Sequence, residues 1–133
     1  MTATARSASE RTRPTPERPS IVSASVVIDC VDPVRLVDWW HELTGWPIGE
    51  RGAPWSDLER PDGTYLGFQQ VPEPRPGKNR VHLDLKVADE EAAAAWAQKQ
   101  LGATFLWRSQ HPDDRFVVLA DPEGNEFCFV DVD

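Results

Sequence analysis

The second half of this sequence repeats the pattern of the first, and this internal repeat constrains the fold more than any other feature. Over the 133 residues, a shift of 57 positions aligns the beginnings of the two copies, and a shift of 61 aligns their ends. The matched positions are Asp32 with Asp89, Trp39 with Trp96, Gly45 with Gly102, Leu58 with Leu119, and Phe68 with Phe129. Such self-similarity predicts two copies of one supersecondary unit in tandem.

Each copy predicts one strand, one helix and three further strands, a βαβββ unit. The β-branched run at 21–29 favours a strand, and Asp32 followed by Pro33 is typical of a helix start. Gly45 is suited to the end of that helix, and Asp89 and Gly102 bound the second helix in the same way. Further strands are predicted at 46–49, 55–60, 64–71, 80–87, 103–108, 115–120 and 126–132.

The domain organisation follows from composition. Residues 1–20 are rich in Ser, Thr, Pro and Arg, and we expect a disordered tail there. Residues 21–133 form one α+β domain, in which a Pro-rich linker at 72–79 separates the units 21–71 and 80–133.

Charge, hydropathy and cysteine content argue against several classes of protein. The net charge of −8 disfavours nucleic acid and anionic membranes as partners. No apolar run is long enough to span a membrane, and the first residues lack the apolar core of a secretory signal. Cys30 and Cys128 form no disulfide framework and no C-x-x-C motif. We therefore expect a cytoplasmic location.

Four short motifs carry a resemblance to a known superfamily. They are the strand that ends at Asp32, Trp39-Trp40 followed by Thr44-Gly45, His82-Leu83-Asp84-Leu85, and Asp121-Pro122-Glu123-Gly124-Asn125-Glu126-Phe127. Over about 21–133 the chain resembles the glyoxalase / bleomycin-resistance / dioxygenase superfamily (the vicinal oxygen chelate fold), and within it the actinobacterial glyoxalase-like domain branch. The resemblance implies curved mixed sheets around a central pocket for a small molecule, and it implies that homodimers are common.

The resemblance also implies four positions for a divalent metal, one on the first and one on the last strand of each unit. These positions hold Ser25, Gly67, His82 and Cys128. Only His82 is a conventional ligand, since Gly67 has no side chain and a neutral serine binds metals poorly. We therefore predict no metal and no other cofactor.

Strand alternation predicts which side chains share the face that carries these four positions. We predict His82, Asp84 and Asp29 as catalytic residues, because a carboxylate beside a histidine orients the ring for acid–base chemistry. The predicted ligand-binding residues are Ser25, Trp55, Tyr65, Gly67, Gln69, Trp107, Glu126 and Cys128. The alternative is a structural role, in which His82 bonds a neighbouring strand and the aspartates pair with Lys86 and Arg80.

Three functions are compatible with this pattern. The first is a small-molecule binding protein with a degenerate, metal-free site. The second is a metal-independent lyase or isomerase-type enzyme that uses His82 with Asp84 or Asp29. The third, a metal-dependent glyoxalase or dioxygenase, is disfavoured by the ligand positions. The sequence leaves open whether the chain is an enzyme, which ligand it takes and whether it forms a homodimer.

Overall fold

The computed structural model describes residues 17–74, 76, 77, 79 and 81–132. Most of the predicted tail at 1–20 therefore lies outside the described residues, and 17–20 carry no regular secondary structure. The described part of the chain contains no helix that is both long and apolar enough to cross a membrane.

The first unit is a three-stranded sheet with one helix packed on it. It contains β1 (Val26–Cys30), α1 (Pro33–Thr44), β2 (Trp55–Glu59) and β3 (Tyr65–Gln70). The strand order is β1-β3-β2, in which β1 runs parallel to β3 and β2 runs antiparallel to it. The prediction of a strand at 46–49 is wrong, since Ile48 makes only an isolated bridge to Leu58. Pro47 has no N–H to donate to a ladder, which limits the pairing of this segment.

The second unit is a four-stranded sheet that has one more strand after its helix than the first unit, so the predicted βαβββ order is complete only here. It contains β4 (Leu83–Val87), α2 (Glu90–Leu101), β5 (Thr104–Arg108), β6 (Phe116–Ala120) and β7 (Glu126–Asp131). The strand order is β4-β7-β6-β5, with β4 parallel to β7. The α+β fold of two mixed sheets is therefore confirmed, and β1 and β4 form corresponding edges of the two sheets.

Both helices begin and end at the predicted residues. The Asp32 carboxylate accepts the Arg35 N–H at 3.1 Å, and Asp89 accepts the Ala92 N–H at 3.0 Å. Gly45 and Gly102 follow the helices with φ of 74° and 68°, a left-handed conformation that glycine adopts without steric cost. Cap signals are local in sequence, which is why they could be predicted.

One hydrophobic core spans the two units. The Trp39 and Trp40 rings of α1 lie edge-on to Phe127 of β7, with centroid distances of 5.8 and 5.1 Å. The Trp39 indole N–H donates to the Leu101 carbonyl at the end of α2. Trp96, the repeat partner of Trp39, is 46% exposed instead, because α2 buries a narrower face of small residues that includes Ala94 and Ala97. The repeat therefore preserves the fold but not each core contact.

The turn between β6 and β7 joins the second unit to the first helix. Buried Asp121 accepts the Trp40 indole N–H at 3.0 Å. Two residues later the Glu123 carboxylate accepts the backbone N–H groups of Val31 and Asp32 at 2.7 and 2.8 Å. The motif that begins at Asp121 thus has a structural role in this chain, since it holds the start of α1.

Candidate functional site

Each sheet has an open face, by which we mean the face turned away from the helices. In β1 and β4 the residues at Val26, Ile28, Leu83 and Leu85 pack into the core. The residues between them, Val27, Asp29, Asp84 and Lys86, are exposed. This alternation agrees with the predicted assignment of faces, and it places the candidate site residues of β1 and β4 on the open faces.

Three of the candidate residues form a compact cluster on the second sheet. His82 Nε2 lies 3.2 Å from Asp84 Oδ1, and both side chains are about half exposed. Asp84 is the register partner of Cys128 on the adjacent β7. A ring nitrogen of His82, a carboxylate oxygen of Asp84 and the sulfur of Cys128 all lie within 4.8 Å of one another. The structure therefore brings together His82 and Asp84, predicted as catalytic residues, and Cys128, predicted as a ligand-binding residue.

This cluster borders a small pocket on the same sheet. The pocket has a volume of about 200 Å³. Its lining residues are His82, Trp107, Phe116, Val118, Glu126 and Cys128. Trp107 and Phe116 form an edge-to-face pair with their centroids 5.3 Å apart. The predicted residues Trp107, Glu126 and Cys128 thus share one pocket with His82, and its walls combine aromatic and polar groups.

A larger cleft lies where the edges of β1 and β4 approach each other. It has a volume of about 370 Å³, and it is lined by four consecutive residues of β1, by His82 and Leu83, and by Asn79 of the linker. Because consecutive residues of a strand point to opposite faces, the strand edge itself borders the cleft. Asp29 lines this cleft with His82 but is not part of the three-residue cluster.

The open face of the first sheet is covered by an aromatic pair. The Trp55 ring lies over Gly67, so closely that a Cβ added at Gly67 would lie 2.7 Å from Trp55 Cζ2. Tyr65 packs edge-on to Trp55 at 5.7 Å between centroids. The Trp55 indole N–H donates to Asp57 at 2.7 Å, which fixes the ring. Tyr65, Trp55 and Gly67, which were predicted as ligand-binding residues, therefore lie together, and Gly67 contributes only the space that the ring occupies.

Two further predicted residues, Ser25 and Gln69, lie on or next to the strands of the first sheet. Ser25 Oγ accepts the backbone N–H of Tyr65 at 3.2 Å. Gln69 is the register partner of both Asp29 and Trp55, which puts these three residues side by side across the sheet. Ser25 is thus engaged with the neighbouring strand, and Gln69 borders the aromatic pair.

Carboxylates dominate the charge of the open faces. Along the described strands the acidic residues of these faces are Asp29, Asp57, Glu59, Asp84 and Glu126. Lys86 of β4 contributes a positive charge. Asp57 lies opposite Gly67 in the register, and Glu59 lies opposite Tyr65. The aromatic pair of the first sheet therefore has acidic neighbours.

Phe116, Val118 and Asp57 belong to this surface, although the sequence analysis did not select them. Phe116 and Val118 are register partners of Val130 and Cys128 on β7. Applying the same alternation to β2 and β6 would have found all three, because residues opposite each other in an antiparallel pair point to the same face.

The metal site that the superfamily resemblance implies does not fit these residues. Of the four positions, Gly67 offers no donor and its space is filled by the Trp55 ring. Ser25 uses its hydroxyl as an acceptor from the Tyr65 N–H. The remaining two, His82 and Cys128, lie with Asp84 in a group of three close enough to share an ion, but this group belongs to the second sheet alone and is not the four-position site that the resemblance implies.

Comparisons with known proteins give a matching family and solved structures with the same fold. Residues 25–130 match the family described as "Glyoxalase-like domain". No curated protein is significantly similar in sequence. A glyoxalase/bleomycin resistance protein/dioxygenase family enzyme from Burkholderia phytofirmans PsJN has a similar structure, with a TM-score of 0.67 and 22% identity over 81% of this chain and 96% of that one.

Two other solved structures share the fold at lower identity. The bleomycin-binding protein of Streptomyces verticillus, complexed with copper(II)-bleomycin, gives a TM-score of 0.62 at 18% identity over 87% of this chain and 100% of that one. A mutant of the fosfomycin resistance protein FosX from Listeria monocytogenes, complexed with Mn(II) and 1S,2S-dihydroxypropylphosphonic acid, gives 0.66 at 10% identity over 84% and 90%. The chain belongs to the glyoxalase-like domain family.

Proposed function

We propose that this protein reversibly binds a small, planar, positively charged organic molecule on its open faces, without a metal or another cofactor. The observation that carries the proposal is the Trp55 ring lying over Gly67, at a position where the superfamily places a metal ligand. An aromatic ring at this position offers a stacking surface in place of a coordination site.

The ligand class follows from the groups around the aromatic rings. Asp57 and Glu59 lie beside the Trp55–Tyr65 pair, and Asp29 faces the cleft between the sheets. A cation over an aromatic face is stabilised by the ring quadrupole, and nearby carboxylates add Coulombic attraction. An anionic ligand would be repelled by the same groups. A planar cation is therefore the ligand that this surface fits best.

The superfamily supports binding as a function of the fold. The bleomycin-binding protein of S. verticillus holds copper(II)-bleomycin on the same fold. For this chain we propose binding of the same general kind, with a different ligand set by its own aromatic and acidic residues.

A metal-independent lyase or isomerase is the second candidate. It is favoured by the 3.2 Å contact of His82 with Asp84 at the border of both the small pocket and the cleft. In that function His82 exchanges a proton with the substrate, and Asp84, or Asp29 across the cleft, stabilises the charged ring. Turnover of a bound ligand that stops in His82→Ala would favour the enzyme over the binder.

We also propose a cytoplasmic homodimer. Cys30 and Cys128 form no disulfide in the described part of the chain, a state that a reducing compartment would preserve. Ile21, Val22 and Val132 lie outside the proposed binding surfaces and are each more than half exposed, so a second copy would cover apolar surface there. Light scattering coupled to size-exclusion chromatography should give twice the mass of one chain.

Thermal unfolding with a ligand panel tests the proposed function. The panel pairs planar aromatic cations with neutral and anionic compounds of matched size. A cation at one hundred times its Kd should stabilise the fold by about 2.7 kcal/mol, which raises Tm by roughly ten degrees. Trp55→Ala should abolish the shift, whereas Trp96→Ala on the helical side should keep it. A shift produced only by anionic compounds would contradict the proposal.

A further inference from the structure

We propose that Cys128 is a nucleophilic thiol that forms a covalent bond with a planar electrophile in the small pocket of the second sheet. His82 is the base that accepts the thiol proton, and Asp84 is the positioning residue that orients His82. This chemistry is separate from the reversible binding of a cation, and it uses a different part of the open faces.

The arrangement of the three side chains supports this role. The Cys128 sulfur, a ring nitrogen of His82 and a carboxylate oxygen of Asp84 lie within 4.8 Å of one another. His82 Nε2 is 3.2 Å from Asp84 Oδ1. A nucleophile near a base that a third group orients is the arrangement that activates serine and cysteine nucleophiles. In ligand-free proteins such contacts are commonly longer than in the reacting complex.

The pocket gives the thiol access to a small substrate. Cys128 itself is 5% exposed, but it lines the pocket of about 200 Å³ together with His82. The Trp107 and Phe116 rings contribute an aromatic, apolar part of the lining. The volume fits a single small ring, and the aromatic lining favours a flat unsaturated one, such as an enone, a quinone or a maleimide.

The other cysteine provides an internal comparison. Cys30 is 2% exposed, and its Sγ donates to the Gln69 carbonyl at 3.7 Å. Burial, followed by the nearby carboxylates of Glu123 and Asp121, raises the pKa of this thiol to about 12. Cys30 should therefore be inert in the folded protein, because the thiolate is the reactive form.

The reaction is an addition that needs no oxidant and no leaving group. In the proposed step His82 donates its Nε2–H to Asp84, and its other ring nitrogen, Nδ1, accepts the Cys128 S–H proton. At the same time the sulfur electron pair forms a bond to the β-carbon of the unsaturated carbonyl compound. The π electrons of the C=C bond move toward the carbonyl oxygen, which gives an enolate. Protonated His82 then returns the proton to the α-carbon, and the product is a thioether.

Alkylation kinetics followed by peptide mass spectrometry test the proposal, with N-ethylmaleimide as the planar probe and iodoacetamide as the comparison. At pH 7 we expect N-ethylmaleimide to modify Cys128 at least ten times faster than Cys30 in the folded protein. Cys128→Ser should lose the fast adduct. An ordinary thiol is about 3% ionised at pH 7, so complete ionisation can speed the reaction by at most roughly thirtyfold. Within that limit, His82→Ala should slow the modification of Cys128 about tenfold. Trp107→Ala should slow N-ethylmaleimide more than iodoacetamide.

The positioning role of Asp84 has its own readout. Asp84→Asn should slow the reaction severalfold at an unchanged Tm, and Asp84→Glu should restore much of the rate. Equal rates at the two cysteines, or an unchanged rate in His82→Ala, would overturn the proposal. Protection of Cys128 by one equivalent of zinc in the wild type but not in Asp84→Asn would also overturn it, because the three side chains would then form a metal site. None of these results depends on binding of a planar cation.

Discussion

At the scale of single residues, the most informative contact is that of the Trp55 ring with Gly67, one of the four positions at which the resemblance implies a metal ligand. The ring occupies the space into which a ligand side chain on Gly67 would project. The indole N–H bond to Asp57 holds the ring there. A new ligand at Gly67 would therefore have to displace the ring before it could reach a metal.

Gly67→Ala tests this packing. The added methyl group overlaps the Trp55 ring, so we expect a loss of about 1–3 kcal/mol of unfolding free energy, measured by urea denaturation. In a Trp55→Ala background the same substitution should cost much less, since the overlap is gone. A cost that is equal in both backgrounds would contradict the contact, because a double-mutant cycle reports coupling between neighbouring residues.

Asp121 is the second residue whose environment has a measurable consequence. Burial raises the pKa of its carboxyl, against the opposing effect of the N–H donors of Trp40, Asn125 and Glu123. A group whose folded-state pKa is raised contributes stability below its unfolded pKa, and that stability is lost as the pH rises through the folded pKa. The window therefore begins near pH 4, the usual value for aspartate, and extends upward.

Asp121→Asn should accordingly destabilise the protein most near pH 4. The amide nitrogen of the new asparagine would face N–H groups that now donate to the Asp121 carboxylate. We expect the lost hydrogen bonds to lower the free energy of unfolding by about 1–3 kcal/mol. The difference in unfolding free energy from the wild type should shrink toward pH 7, because only the wild type loses stability in that window. Urea titrations between pH 4 and 7 measure this trend, and a difference that grows with pH would contradict it.

At the scale of elements, the turn between β6 and β7 positions α1. Glu123→Ala removes two hydrogen bonds from the Val31 and Asp32 backbone N–H groups. We expect a loss of about 1–2 kcal/mol, since the bonds are to a charged group but lie near solvent. Glu91→Ala is the matched control, because it removes only an exposed ion pair with Arg108 and should cost less than about 1 kcal/mol. Equal losses would mean that Glu123 does not hold the helix.

The elements also show what the sequence could and could not predict. Both helices and seven strands follow from caps, glycines and alternation, which are local signals. The strand at 46–49 fails because Pro47 limits the ladder, and Trp96 departs from its repeat partner because α2 buries its alanine face. The pairing of His82 with Asp84 was accessible from alternation on one strand. The position of the Trp55 ring over Gly67 could not be predicted from the sequence, because the packing between neighbouring strands decides in which direction such a ring points.

At the scale of the whole molecule, the two units share one core but have different open faces. The first carries the Trp55–Tyr65 pair with acidic neighbours, and the second carries the pocket of His82 and Cys128. The duplicated unit therefore provides two chemically distinct surfaces, which meet at the cleft between β1 and β4. We propose reversible cation binding for the first surface and covalent capture for the second.

Isothermal titration calorimetry of a protonated aminoacridine, a planar aromatic cation, tests the central claim most directly. The wild type should bind it with the same Kd in the presence of EDTA and in the presence of added Mn(II). Trp55→Ala should weaken the affinity at least tenfold, and Trp96→Ala should leave it unchanged. Binding that requires Mn(II), or that survives intact in Trp55→Ala, would contradict an aromatic site in place of the metal.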